Sequence, residues 1–132
     1  YLGNLDAKRD WGHARDYVQA MWKILQQKKP DDFVIATGKQ YSVRQFVNIV
    51  SKKLGYKIIW RGKGVNERGI DKNTNKVIIE CDKKYFRPLD VNTLLGDSKK
   101  ARKKLKWKPK INLNQLVDEM ISLEMSTIEN HN

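Results

Sequence analysis

The sequence is poor in the residues that build cross-links and metal centres. Its 132 residues contain one cysteine, Cys81, so an internal disulfide is excluded and a reducing compartment, the cytoplasm, is expected. Glu80 and Asp82 flank Cys81 and disfavour a thiolate, so a structural role is predicted. The two histidines, His13 and His131, have no cysteine or acidic cluster at ligand spacing, so no metal site is predicted.

Long apolar runs and leader patterns are also missing. No stretch approaches the roughly 18 apolar residues of a membrane span, and no signal-peptide pattern opens the chain. A soluble protein that does not enter a membrane is therefore expected. The chain opens at Tyr1 rather than Met, in sequence that reads as interior, so we expect a piece cut from a longer protein.

Two motifs of nucleotide-dependent redox enzymes are absent. No G-x-G-x-x-G or G-x-x-G-x-x-G follows a predicted strand, and no tyrosine has a lysine four residues later. The glycines from Gly64 to Gly69 have P-loop spacing, but Ile70 stands where a lysine is required. The sequence thus predicts no catalytic and no cofactor-binding residue within the chain.

The residues that are present describe one basic globular domain. Hydrophobic residues make up 39% and charged residues 32%, with a net charge of +12. Such a charge favours an anionic partner: nucleic acid, a nucleotide or a membrane surface. The run from Lys99 to Lys110 holds seven lysines and one arginine, yet only Trp107 lies nearby as an aromatic, so a solvated helix face is favoured over nucleic-acid binding.

Apolar spacing predicts a first helix from His13 to about Lys28. Its apolar stripe has i, i+3, i+4, i+7 spacing. The stripe consists of Val18, Met21, Trp22 and Leu25. Because Tyr17 and Ile24 widen it, we expect this helix to pack against two neighbours.

Further elements alternate between strand and helix. A capping-box pattern of Ser42 with Gln45 starts a second helix, which Gly55 ends. Strands are predicted at Phe33–Thr37, where the strand is buried, and at Lys57–Trp60 and Val77–Ile79, with a mobile polar loop at Arg61–Lys76 between the last two. A short basic helix with Ala101 and Leu105 and a last helix from about Asn112 are predicted to follow. The predicted class is α/β, with a small sheet and about four helices.

Two arginines have the chemistry of phosphate ligands. Arg9 stands just before the first helix, where its planar guanidinium can hold a phosphate through two hydrogen bonds, or pair with Asp10 or another carboxylate instead. Arg87 precedes the rigid Pro88, with Asp90 three residues on. Arg87 and Asp90 can read a diphosphate and a ribose diol together, or form a local ion pair.

Six segments taken in order resemble one known family. They are Leu2–Val18, Asp32–Gly38, Ser42–Phe46, Tyr85–Pro88, Leu94–Asp97 and Trp107–Pro109. Together they resemble the GDP-mannose 4,6-dehydratases, which are extended short-chain dehydrogenase/reductases. The resemblance runs over essentially the whole chain, and its most specific parts are the Arg-Asp-Trp-Gly-His and Tyr-Phe-Arg-Pro segments.

The resemblance implies a division of labour. The family joins an N-terminal Rossmann domain for NADP to a smaller C-terminal domain for the nucleotide sugar, and residues 1–132 resemble the second part only, as a single domain. The full enzyme, expected to be a homo-oligomer, converts GDP-mannose to GDP-4-keto-6-deoxymannose with loss of water, a step toward GDP-fucose. The family's catalytic residues would lie outside this chain, so the chain alone is expected to be inactive.

The resemblance also implies roles for five residues. Arg9 and Arg87 would hold the GDP diphosphate, Gly3 and Asn4 would lie along the nucleotide, and Asp90 would meet the ribose hydroxyls. The family usually has Glu at the position of Asp90, so the reach here is one methylene shorter. The alternatives are a basic nucleic-acid-binding module and a protein-interaction module that self-associates through the first helix.

Overall fold

The computed structural model describes residues 1–87, 91 and 93–130. The chain divides into two compact units, each built from two stretches of chain. We call Tyr1–Arg9 with Tyr41–Thr93 the sheet unit, and Asp10–Gln40 with Leu94–Asn132 the helix unit. The described residues form four α-helices and two small sheets, which confirms the predicted α/β class.

The described residues of the sheet unit form two antiparallel sheets and one helix. In the smaller sheet, β1 pairs with β2, and in the larger one β4 lies between β3 and β5. The elements are β1 (Lys8–Arg9), β2 (Tyr41–Ser42), α2 (Val43–Lys53), β3 (Ile58–Arg61), β4 (Arg68–Asp71) and β5 (Val77–Glu80). Helical turns of the 3₁₀ type at Gly64–Asn66 and Lys83–Tyr85 complete the unit.

The start and end of α2 confirm the predicted capping pattern. The Gln45 amide donates to the Ser42 hydroxyl at 3.1 Å, and the Ser42 amide donates to the Gln45 side chain at 2.7 Å. These two bonds satisfy amides that the first helical turn leaves unpaired. Gly55 follows the helix with a φ of 83°, a left-handed conformation that glycine adopts at low cost.

The prediction of a loop at Arg61–Lys76 was wrong in part, because this segment contains β4. Its polar residues and Gly69 give β4 no apolar alternation that would indicate a strand. A Cβ added at Gly69 would lie 3.1 Å from side-chain atoms of Ile58 and Trp60, so the glycine admits close packing of β3. Asp71 closes the turn after β4, since its buried carboxylate accepts from the Thr74 amide and hydroxyl at 3.2 and 2.8 Å.

The helix unit has its core between its first helix, its short basic helix with Trp107, and the segment around Phe33 and Ile35. It contains α1 (Ala14–Leu25), α3 (Lys99–Leu105) and α4 (Leu113–Glu129). The core cluster is Ala20, Ala101, Leu105 and Trp107, against which Tyr17, Ile24, Phe33 and Ile35 pack. Trp107 is buried, and its indole donates to the Asp16 carbonyl at 2.9 Å. Burying a group of this size is a large stabilising contribution.

The predicted apolar stripe of α1 faces away from this core. Ala20 is buried and Tyr17 and Ile24 are half-buried, whereas the stripe residues Val18, Met21, Trp22 and Leu25 are 61, 59, 61 and 80% exposed. The helix is therefore apolar on more of its circumference than the helix unit covers. In the part of the chain that the structure describes, no helix is both long and apolar enough to cross a membrane.

The prediction of a strand at Phe33–Thr37 was wrong, because this segment belongs to none of the strands formed by the described residues. Its side chains nevertheless alternate, with Phe33 and Ile35 against the core and Val34 53% exposed. The Asp10 carboxylate anchors the end of the segment by accepting from the Thr37 and Gly38 amides at 3.0 and 2.8 Å. High β propensity gives an extended backbone here, but a strand also needs a hydrogen-bonded neighbour.

Candidate functional site

Two segments of the sheet unit run side by side and carry the predicted site residues. The Leu2 amide donates to the Glu80 carbonyl at 2.9 Å, and the Asp82 amide donates to the Leu2 carbonyl at 2.9 Å. Parallel bridges join Leu2 to Cys81 and Lys8 to Thr93. The stretch 2–9, which contains Gly3, Asn4 and Arg9, is therefore joined near both of its ends to a second segment, residues 80–87, 91 and 93, which contains Arg87.

Gly3 allows the closest approach between the two segments. A Cβ added at Gly3 would lie 2.1 Å from the Tyr85 carbonyl oxygen, a distance no side chain can occupy. The neighbouring Asn4 uses its side-chain oxygen to accept from the Asp6 amide at 3.0 Å. Gly3 and Asn4 thus lie beside the turn at Lys83–Tyr85, from which the chain continues to Arg87.

Arg9 binds the second segment. Its Nη1 donates to the Val91 carbonyl at 2.6 Å and to the Lys8 carbonyl at 2.8 Å. A guanidinium is planar and carries five N–H donors in a fixed fork, so this anchor sets the plane in which the group meets a ligand. Asp10, one of the partners predicted for Arg9, accepts from the Thr37–Gly38 turn within the helix unit.

Arg87 lies on the exposed surface of the sheet unit, beyond the turn at Lys83–Tyr85. Asp82 orders this turn by accepting from the Lys84 amide at 2.9 Å. Asp90, the residue predicted to meet a ribose, lies outside the described residues, and so does the local pairing of Arg87 with Asp90. The structure therefore places Gly3, Asn4, Arg9 and Arg87 on two adjoining segments of one unit.

Arg44 is a residue of this region that pattern reasoning missed. Its guanidinium donates to both Glu67 carboxylate oxygens, at 3.0 Å for Nη2 to Oε2, and Nη2 donates to Asp6 at 2.8 Å. It also lies over the Trp60 ring at 5.0 Å. The Glu67 hydrogen bond is the main reason why the pKa of Arg44 is raised above its ordinary value.

The sequence did hold a signal for Arg44. It stands in the first turn of α2, where the helix dipole disfavours a positive charge. A cation kept in that position indicates acidic partners elsewhere in the fold, although it cannot identify them. Glu67 is 23 positions away in sequence and only 8% exposed, so only the folded chain brings the two together.

Cys81 lies in the same frame and has the environment of a structural residue. It is half-buried, and its backbone amide donates to the Glu67 carbonyl at 3.1 Å. Burial raises the pKa of the Cys81 thiol, and the negative charge of Glu67 raises it further. The thiolate needed for nucleophilic chemistry is therefore disfavoured at neutral pH.

The basic run on the helix unit is partly neutralised. Lys100 and Lys104 both donate to the Asp31 carboxylate, the second at 2.9 Å. The hydrogen bond from Lys100 is the largest cause that lowers the pKa of Asp31, followed by the one from Lys104. Lys100 also lies 5.2 Å from the Phe33 ring centre. These contacts favour a structural use of both lysines.

A family model described as GDP-mannose 4,6 dehydratase matches residues 1–120. "GDP-mannose 4,6 dehydratase 2" of Caenorhabditis elegans is 54% identical over 129 residues, which are 97% of this chain and 33% of the relative. The chain thus spans about a third of the length of the curated relatives it matches.

Solved structures share the fold at low sequence identity. A UDP-glucose 4-epimerase from Thermotoga maritima, solved with UDP-glucose, superposes with a TM-score of 0.72 at 23% identity, over 97% of this chain and 35% of that one. The UDP-glucose 4-epimerase from Bifidobacterium longum, solved with NAD⁺ and UDP, gives a TM-score of 0.58 at 20% identity, over 84% of this chain and 28% of that one. The fold is therefore that of the corresponding third of these epimerases.

Proposed function

Because the chain belongs to the GDP-mannose 4,6-dehydratase family, we propose that residues 1–132 are the GDP-sugar-binding portion of such an enzyme. The whole enzyme would convert GDP-mannose to GDP-4-keto-6-deoxymannose with loss of water, on the way to GDP-fucose. The observation that supports the proposal is the pair of parallel bridges, Leu2 to Cys81 and Lys8 to Thr93, between the segment that contains Arg9 and the segment that contains Arg87.

Two arginines suit the diphosphate of GDP. A diphosphate presents several anionic oxygens, and each guanidinium can donate two parallel charge-assisted hydrogen bonds. Arg9 is held in orientation by its bond to the Val91 carbonyl, so little of its side-chain freedom remains to be lost on binding. Arg87 is exposed and would become ordered when the phosphates bind.

The remaining contacts of the proposal concern the nucleoside. Gly3 and Asn4 would lie along the nucleotide, because a residue without a side chain lets a ligand approach the backbone closely. Asp90 would accept hydrogen bonds from the ribose hydroxyls in place of the usual Glu. Its shorter side chain then requires the sugar to sit about one methylene closer to the backbone than a Glu would.

The redox cofactor is assigned to the rest of the enzyme. Proteins that bind a dinucleotide in a Rossmann fold do so at the end of parallel strands joined through helices, and both sheets formed by the described residues are antiparallel. The described residues therefore do not fit NADP. For the whole protein we propose an NADP-dependent lyase activity, a homo-oligomeric state and a cytoplasmic location. The chain alone is expected to be inactive.

The exposed face of α1 favours a second role, as an interaction surface. We infer that a chain of this length self-associates through Val18, Met21, Trp22 and Leu25, since burying such residues is favourable. Nucleic-acid binding has less support, because the Asp31 carboxylate engages Lys100 and Lys104 from the basic run.

A GDP titration by calorimetry tests the main proposal. The parent chain should bind GDP weakly, and Arg87→Ala should weaken binding about tenfold or more, the size expected when a charge-assisted contact is lost. Arg61→Ala is the matched control, since Arg61 is an exposed arginine of the same unit outside both segments. Equal GDP affinity of Arg87→Ala and the parent would remove Arg87 from the site. Dehydratase turnover by the chain with NADP⁺ would refute the proposed division of labour.

A further inference from the structure

We infer that Arg44 is a positioning residue for GDP binding: its guanidinium clamps together the two segments that carry the candidate site. The inference rests on the proposed function and assigns a role that no sequence motif indicates. Arg44 acts through other residues of the sheet unit and is not itself proposed to touch the nucleotide.

The first half of the clamp holds the stretch that contains Gly3 and Asn4. The Arg44 amide donates to the Leu5 carbonyl at 2.9 Å, while the Arg44 side chain donates to Asp6 at 2.8 Å. The Asp6 amide in turn donates to the Asn4 side chain at 3.0 Å. Backbone and side chain of one residue thus fix the course of the stretch 4–6.

The second half holds the stretch that leads to Arg87. Glu67 accepts two hydrogen bonds from Arg44, and its own carbonyl accepts from the Cys81 amide at 3.1 Å. Cys81 is bridged to Leu2 and starts the stretch that passes through Tyr85 to Arg87. A shift of Glu67 would therefore move the second segment relative to the first.

The geometry requires an arginine and not merely a positive charge. The planar group donates to two carboxylates at once and stacks on the Trp60 ring, whose indole is held by Asn48 at 3.0 Å. Lysine offers a point charge without the fork or the stacking plane. Arg44→Lys keeps a positive charge beside the buried Glu67 carboxylate but loosens the geometry. Arg44→Ala would leave that carboxylate buried without a counter-charge and destabilise the fold strongly, so Arg44→Lys is the better variant for the test.

A double-mutant cycle separates positioning from plain stability. GDP affinity is measured by calorimetry on the full 132-residue chain for the parent, Arg44→Lys, Arg87→Lys and the double variant, with the folded fraction of each checked by circular dichroism. In the parent background, Arg44→Lys should raise the GDP dissociation constant about fivefold, and in the Arg87→Lys background clearly less, as coupled residues do. Arg61→Lys is the matched control, because Arg61 is an exposed arginine of the same unit that lies outside both segments.

The outcomes distinguish this inference from the function on which it rests. Unchanged GDP affinity of Arg44→Lys would overturn the inference, and so would an equal loss in both backgrounds, because a merely structural role acts independently of Arg87. If Arg87→Lys weakens binding while Arg44→Lys does not, the proposed function stands and the inference falls. Failure of the parent to bind GDP even at millimolar concentration would refute both.

Discussion

Gly3 and Tyr85 lie in backbone contact, so close that a Cβ on Gly3 would come within 2.1 Å of the Tyr85 carbonyl oxygen. This contact joins the start of the chain to the turn that precedes Arg87. Together with the bridge between Leu2 and Cys81, it sets the distance between the two proposed GDP-binding segments.

Gly3→Ala should therefore disturb both folding and binding. The added methyl group must push one segment away from the other, at a cost of about 1–3 kcal/mol of unfolding free energy, the range for overpacked sites. Urea denaturation measures the loss of stability, and a GDP titration should show weaker binding.

The matched control for Gly3→Ala is Gly55→Ala. Gly55 has a φ of 83°, and an added Cβ would have no neighbour within 4 Å. This variant should lose about 1 kcal/mol from backbone strain alone and leave GDP binding unchanged. If both variants bind GDP as the parent does, the Gly3 contact has no part in the site.

Trp22→Lys should reduce self-association of the chain. The indole is 61% exposed on the stripe formed by Val18, Met21, Trp22 and Leu25, and a charge there makes burial unfavourable. Sedimentation at increasing protein concentration should show a shift toward monomer compared with the parent.

Leu123→Lys is the control for Trp22→Lys, because Leu123 is an apolar residue that is 66% exposed on another helix, α4. It tests whether a lysine at any exposed apolar position reduces self-association. We expect this variant to associate like the parent. A parent chain that stays monomeric at high concentration would rule out association through α1.

Asp31→Asn should lower stability at neutral pH and lose that effect in acid. The hydrogen bonds from Lys100 and Lys104 lower the pKa of Asp31 in the folded chain, so the ionised carboxylate stabilises the fold above the ordinary aspartate pKa of about 3.9. This stabilisation disappears as the pH falls toward the lowered folded pKa. Urea denaturation of the parent and the variant from pH 7 down to pH 3 should show the difference narrowing.

High salt should also reduce the effect of Asp31→Asn, because an exposed ion pair is screened. Asp32→Asn is the control, since it removes one carboxylate from the neighbouring position. If Asp32→Asn matches Asp31→Asn at every pH, net charge and not the lysine pair explains the change.

Local patterns predicted the elements that depend on neighbours in sequence. The capping box of Ser42 with Gln45 marks a helix start that the structure confirms, and the last helix, predicted from about Asn112, begins at Leu113 with Asn112 as its N-cap. Such features are predictable because the donor and acceptor, or the apolar residues of one face, lie within one or two turns of each other.

The candidate site was predicted only in part. Resemblance to a family supplied Gly3, Asn4, Arg9, Arg87 and Asp90, and the structure places the first four on adjoining segments while Asp90 lies outside the described residues. Their role in binding GDP stays a prediction. Arg44 was missed because its partners Asp6 and Glu67 lie 38 and 23 positions away, beyond the reach of any local pattern.

The sequence by itself determined the helix starts, the α/β class, the family and the absence of a dinucleotide motif, since each depends on residue types at short spacing. Only the tertiary structure decided that β4 completes a sheet, that Phe33–Thr37 finds no strand partner among the described residues, and that the apolar stripe of α1 points outward. Strand pairing and burial depend on which distant surfaces meet. That is settled by the free energy of the whole packed chain, which no single segment encodes.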